Sequence, residues 1–243
     1  MSQSSLLLAI ECATRTASVA IARGEQILVV RSARSDRHHA ESLLAEVDAA
    51  LREARIGLDA VEAFAVSVGP GAFTSLRIGL ATVKGLAFAS GRPVVPVSTL
   101  AAIAHGAPPG HPRVAALLDA RRGEVYAGEF DRTGPLPRAR GEEAVETATT
   151  LATRLAPGTR LAGEIPPRML DALQRAGRAD LEPFDPPETR PRALAVASLG
   201  RVALAAGGAV DAAELVPRYL RRPEAEERRL AAAPSLDTGQ KLE

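Results

Sequence analysis

The segment Leu6-Leu7-Leu8-Ala9-Ile10-Glu11, its continuation Cys12-Ala13-Thr14-Arg15 and the run Ala17-Ser18-Val19-Ala20-Ile21-Ala22 decide the architecture of this chain. With the turn at Gly24-Glu25 and a third run from Ile27 to Arg31, they make three short apolar stretches separated by turns. That pattern predicts an antiparallel meander. The first stretch is apolar almost throughout, so its strand is expected at the centre of a sheet, covered on both faces. A helix follows from about His39 to Arg55, where Leu43, Leu44, Val47, Leu51 and Ala54 recur at helical spacing before Gly57 ends it. Ala63 to Val68 predicts a strand and Gly69-Pro70-Gly71 a turn. Phe73 to Ser90 predicts a second helix, with Thr74 or Ser75 placed to cap it. Pro93 to Val97 is another strand, and Ser98 caps a short helix to about His105.

Three antiparallel strands followed by alternating helices and strands mark an α/β half of the ribonuclease-H-like, or actin-like, kind. Ala107 to Pro112 reads as a linker. Beyond it, Val114 to Asp119 and Glu124 to Asp131 form a strand pair around Ala120 to Gly123, as if the opening of the first half were repeated. The expected fold is therefore a two-lobe actin-like (ribonuclease-H-like) ATPase-type fold, with mixed sheets flanked by helices. Residues 1–106 form the first lobe, 107–222 a second lobe whose end returns to the first, and 223–243 a flexible charged tail. Between Arg132 and Arg190 the pattern is weak, with helices expected at Ala144–Leu155 and Pro167–Arg175; Ala193 to Ala206 is strongly helical.

Composition excludes several classes. Of 243 residues, 46% are hydrophobic and 3% aromatic, with no Trp, so a core of Leu, Val, Ile and Ala is expected rather than global disorder. Lys and Arg number 30 against 29 Asp and Glu, which lacks the basic excess of a protein gripping RNA by itself. The pairs Arg121-Arg122, Arg221-Arg222 and Arg228-Arg229 read as solvated surface. The single cysteine, Cys12, rules out an intrachain disulfide and reads as a small buried hydrophobe. No run approaches the ~20 apolar residues of a membrane span, and the polar start lacks a signal-peptide pattern, so a cytoplasmic protein is expected. His38, His39, His105 and His111 show no metal-binding i, i+4 pair.

Two constellations could carry chemistry. A carboxylate ending a strand, then a small-residue hairpin with Thr, suits phosphate and Mg²⁺. Actin-like ATPases place Asp-x-Gly-Thr there; this chain has Glu11-Cys12-Ala13-Thr14, with Ala13 where the glycine permits phosphate approach. Glu11, Thr14, Gly69, Gly71 and Asp119 form a vestigial nucleotide site on that reading, while Gly69-Pro70-Gly71 also reads as a plain turn. The second constellation is the helix itself. Phe73, Leu76, Leu80, Val83 and Ala87 make one apolar stripe and Ile78, Ala81, Gly85 and Phe88 another, with Gly79 and Gly85 open to close approach by another helix. A helix covering one sheet needs a single stripe, so the second predicts a further burial surface.

Taken together, Leu8–Ala20, His39-Ala40-Glu41-Ser42-Leu43-Leu44, Gly69-Pro70-Gly71-Ala72-Phe73-Thr74-Ser75-Leu76-Arg77-Ile78-Gly79, Leu118-Asp119-Ala120-Arg121-Arg122-Gly123-Glu124-Val125-Tyr126 and Pro217-Arg218-Tyr219-Leu220-Arg221 resemble the TsaB (YeaZ) family. The likeness is strong over residues 6–130, patchy to about 215, and returns at the Pro-x-Tyr-Leu-Arg element. It implies a non-catalytic subunit supporting a TsaD-type enzyme that makes N6-threonylcarbamoyladenosine on ANN-decoding tRNA. Implied partners are TsaD, a TsaE-type ATPase and, for the chain alone, a second copy; tRNA is met only indirectly and a membrane not at all. The implied interface holds His39, Leu43, Val47, Phe73, Arg77, Ile78, Ala81, Lys84, Gly85 and Phe88. No catalytic residue, metal or cofactor is expected of the isolated chain; ATP or ADP with Mg²⁺ is allowed at the partner interface. TsaD proteins carry Asn-His-Leu-Glu-Gly-His where this chain reads Ser98-Thr99-Leu100-Ala101-Ala102-Ile103, so Thr99 and Ile103 stand at the metal-binding histidines. The alternative is an autonomous actin-like ATPase or kinase using Glu11, Thr14 and Asp119.

Overall fold

The computed structural model describes residues 5–14, 16–34, 39–184 and 191–221, with 33–34 and 39–42 described by backbone alone. Arg15, His38, Arg222, the pair Arg228-Arg229 and the expected tail 223–243 lie outside the described residues. In chain order the elements are β1 (Leu6–Glu11), β2 (Thr16–Arg23), β3 (Gln26–Arg34), α1 (His39–Ala54), β4 (Ala63–Gly69), α2 (Phe73–Ser90), β5 (Val94–Ser98) and α3 (Thr99–Gly106). They continue with β6 (Arg113–Arg121), β7 (Glu124–Asp131), β8 (Arg138–Ala139), β9 (Ala144–Glu146), α4 (Ala148–Arg154), β10 (Arg160–Glu164), α5 (Pro167–Arg175) and α6 (Ala193–Ala205).

The first sheet runs β3-β2-β1-β4-β5, with β1 antiparallel to β2 and parallel to β4. All six residues of β1 are buried, as its continuous apolar run requires. Side chains alternate across a strand. Leu6, Leu8 and Ile10 meet Leu43 and Val47 of α1 and Leu76, Leu80 and Val83 of α2. Leu7 and Ala9 meet Val196, Ala197 and Leu204 of α6. Burying Leu8 or Ile10 fully contributes roughly 1.5–3 kcal/mol each. The α6 face is lined by small residues (Ala9, Ala20, Ala22, Ala63, Ala65), which brings that helix close to the strands.

The second sheet runs β10-β6-β7-β8, with β9 also paired to β7. β6 is antiparallel to β7 and parallel to β10, as β1 is to β2 and β4, so the opening of the first half does recur. α3 packs Leu100, Ile103 and Ala104 between the halves, against Val114, Ala116 and Leu118 of β6. This is the two-lobe actin-like α/β architecture expected.

Three local expectations need correction. Ala144–Glu146 is strand, not helix: Val145 pairs with Tyr126, and Thr147 starts α4 through a capping box in which its Oγ1 accepts from the Thr150 amide and its own amide donates to Thr150 Oγ1. α2 is capped by neither Thr74 nor Ser75. Its N-cap is Ala72, with no side-chain cap, because the chain enters the helix straight from the glycine loop, where the Ala72 amide bonds Ala13 O. Gly79 does not face outward; a Cβ there would collide with Cys12 Sγ. By contrast Ser98 caps α3 as expected, accepting from the Ala101 amide at 3.2 Å.

Candidate functional site

β1 delivers Glu11, fully buried, to the turn. Its Oε1 accepts from the Ala13 amide at 2.7 Å and its Oε2 from Thr14 Oγ1 at 3.0 Å. Arg192 donates to Thr14 Oγ1 at 2.9 Å and lies 3.4 Å from Glu164 Oε1 at the end of β10. Burial pushes the Glu11 carboxyl up to about 6, against the pull of the Arg192 charge and of the bonds from Thr14 and Ala13. Burial also pushes the Cys12 thiol up, so it stays protonated, and it donates to Ser75 O.

The glycine loop is brought against this turn. A Cβ on Gly71 would collide with Ala13 O and Ala13 Cβ. Gly69, at φ 118°, would place a Cβ 2.6 Å from Arg218 O, and the Arg218 amide bonds Val68 O at 2.7 Å. These glycines therefore serve the close approach of the chain to itself. Two donors of the turn, the Ala13 amide and the Thr14 hydroxyl, are already used by Glu11, and the space over Gly69 holds the backbone of the 217–221 strap. Asp119 is not joined to the cluster; it accepts from the Arg121 amide at 2.8 Å and pairs with Arg168 at 3.1 Å.

Thr99 and Ile103 are both buried, Ile103 among the apolar residues between the lobes. Beside them Glu143 accepts from Ser98 Oγ at 2.5 Å and pairs with Arg218 at 2.9 Å, its carboxyl pushed up by burial against both contacts. Among the described residues no group of three or more His, Cys, Asp and Glu is placed to hold a metal. No helix among them is long and apolar enough to cross a membrane.

The other region is the outward face of α1 and α2. Leu43 and Val47 do not belong to it; both point into the first sheet's core, and Leu44, 50% exposed, takes the outward position. The side chain of His39 is outside the description. On α2, Ala81 and Gly85 are exposed and Phe88 is 87% exposed, while Ile78 packs partly against the core. Phe73 leaves the inner stripe: at 36% exposure it lies 5.2 Å from the Tyr219 ring, with the Arg77 guanidinium 3.9 Å over its face. Arg77 Nε donates to Tyr219 Oη, and Lys84 Nζ to Ala213 O. A cavity of about 870 Å³ opens beside Phe88, lined also by Lys84, Gly85, Arg92, Val210 and Asp211.

Sequence reading missed Arg192, Glu164 and Glu143, while the expected return of the chain's end to the first lobe is met by the Arg218 amide on Val68 O. Their partners lie far away along the chain, so no local pattern announces them; only the returning Pro217-Arg218-Tyr219-Leu220-Arg221 element hinted that this segment mattered.

Residues 30–168 match the family model described as TsaD: tRNA N6-adenosine threonylcarbamoyltransferase. The tRNA threonylcarbamoyladenosine biosynthesis protein TsaB of Haemophilus influenzae is 38% identical over 133 residues, 54% of this chain and 56% of that protein. The match thus spans about half the length of this curated relative. An uncharacterized protein of Mycobacterium tuberculosis is 34% identical over 225 residues, 92% of this chain and 95% of its own length. The solved structure of YeaZ from Pseudomonas aeruginosa superposes with a TM-score of 0.75 at 35% identity, covering 89% of this chain and all of that one. Sequence and whole-length structure agree that the chain belongs to the TsaB/YeaZ family, within the wider group described by the TsaD model.

Proposed function

We propose that this chain is a non-catalytic subunit in the making of N6-threonylcarbamoyladenosine on tRNA, and that it docks a TsaD-type threonylcarbamoyltransferase through the outward face of α1 and α2. The observation that carries the reading is Phe88, 87% exposed on a helix whose opposite face is buried in its own core. Leaving an aromatic ring that far in water forfeits a large burial gain, and such residues are enriched at interface centres. Leu44, Ala81 and Gly85 extend the same apolar surface. Thr99 and Ile103, buried where the catalytic relatives carry metal-binding histidines, support a supporting rather than catalytic role. A second copy is the occupant of this face when TsaD is absent. The TsaE-type ATPase and tRNA are met through TsaD.

Mixing the chain with its cognate TsaD and TsaE tests this reading. A complex at micromolar concentration and tRNA modification that needs both proteins are expected; no complex overturns it. The alternative, an autonomous ATPase, is disfavoured by a turn whose amide and hydroxyl donors already bind Glu11. ATP turnover by the pure chain, lost in Glu11→Ala, would restore it.

A further inference from the structure

We propose that Arg192 is a built-in cation between the ends of β1 and β10, filling the place that a hydrated divalent metal could take beside Glu11, Thr14 and Glu164, and that it ties the halves into one closed arrangement. This inference stands apart from the partner reading, since it concerns the opposite side of the first sheet from α1 and α2.

An ionised carboxylate taken out of water needs a counter-charge and hydrogen-bond donors. Glu11 is fully buried, and its donors are the Ala13 amide and the Thr14 hydroxyl. Arg192 is the cation acting on it, through Thr14 Oγ1 at 2.9 Å. The same guanidinium faces Glu164 at 3.4 Å. Glu11 ends β1 of the first sheet and Glu164 ends β10 of the second. One fixed charge therefore sits between two carboxylates from different halves, an arrangement a divalent ion would otherwise satisfy.

The base of Arg192 is held rigidly. The next residue opens α6, and the Ala193 amide donates to the buried Ser18 Oγ of β2 at 3.0 Å. The guanidinium thus reaches from a backbone anchored on the first sheet to a carboxylate on the second. One more tie crosses between the halves: Glu143, from the second half, accepts from Ser98 Oγ of the first.

The test compares the wild-type protein with Arg192→Met, which keeps the stem and removes the charge, and Arg192→Lys, which keeps the charge. Thermal unfolding is followed with and without millimolar MgCl2, and amide exchange is followed along β10 and at Ala193. Arg192→Met is expected to melt about 5 °C lower and to exchange roughly tenfold faster at those amides. Mg²⁺ should recover part of the loss in that variant while leaving wild type and Arg192→Lys unmoved. Wild-type melting and exchange in Arg192→Met would overturn the tie. A lowered melting point that ignores Mg²⁺ would overturn the cation position, as would a wild type that Mg²⁺ stabilises. Should Arg192→Met fail to fold, Glu164→Gln removes the carboxylate charge that faces Arg192 and leaves Glu11 its own contacts. Faster exchange along β10 is then expected, and unchanged exchange overturns the proposal.

Discussion

The turn after β1 and the outward face of α2 belong to one lobe, yet they dispose of their unsatisfied groups in opposite ways. At the turn, every feature that looks like ligand chemistry is answered from within. Glu11 binds its own neighbours, Gly71 lets the loop lie on Ala13, and Gly69 lets the strap pass. On α2, apolar side chains that no part of the described chain covers are left in water, Phe88 most of all. Polar residues and glycines in a ligand-like pattern can be used up in holding a fold together, whereas an exposed aromatic on an ordered helix has no internal use. That contrast is the reason the outer face of α1 and α2 is proposed as the docking surface.

The strongest way to break that contrast is at the loop. Gly71→Val should drive a side chain into Ala13 backbone and cost about 3 kcal/mol, read as a shifted denaturant midpoint at unchanged slope. A stable Gly71→Val protein would mean the turn has room after all. The pH response of Glu11 comes next. Its folded value of about 6 lies above the ordinary 4.5, so the native state keeps the proton that the unfolded chain has lost. That stability is fully present below 4.5 and is lost as pH rises through 6, a difference of about 2 kcal/mol. Unfolding free energies from pH 4 to 7 for wild type and Glu11→Gln should diverge by that amount across the window (the glutamine variant lacking the fall).

Substitutions on α2 should invert the pattern. Phe88→Ala is expected to move unfolding by no more than about 0.5 kcal/mol and to weaken association by about 2 kcal/mol, roughly thirtyfold, by titration calorimetry against the partner. Ala81→Glu and Gly85→Glu should act alike on association. The smallest effect sharpens the comparison further: a Cβ at Gly85 meets nothing within 4 Å. Gly85→Ala should therefore raise stability by about 0.5–1 kcal/mol through helix propensity alone. The same one-methyl change at Gly71 should be destabilising, so the two glycines differ in sign.

Much of this was readable beforehand. The helix Phe73–Ser90 and the helix Pro167–Arg175 begin and end where their 3.6-residue periods and flanking residues place them. The all-apolar β1 is central, and Ser98 caps α3. The errors share a cause. Ala144–Glu146 is too short for a period to show, and its strand pairing with β7 comes from a partner some twenty residues away. Leu43 and Leu44 are adjacent leucines of equal hydropathy; only the seat of α1 on the sheet turns one inward and the other outward. Phe73 matches the inner stripe in spacing, but Tyr219 and Arg77 hold its ring outside.

The sequence by itself determined the strand and helix order up to β7, the helices α5 and α6 and the family, because periodicity, turns and linear motifs are properties of neighbouring residues. Tertiary structure alone decided which of two apolar stripes is free, that the glycine loop is spent on its own chain, and that Arg192 answers Glu11 and Glu164. Those outcomes depend on contacts between residues up to 178 positions apart. No local pattern encodes them, because a side chain's partner is set by the packed fold as a whole.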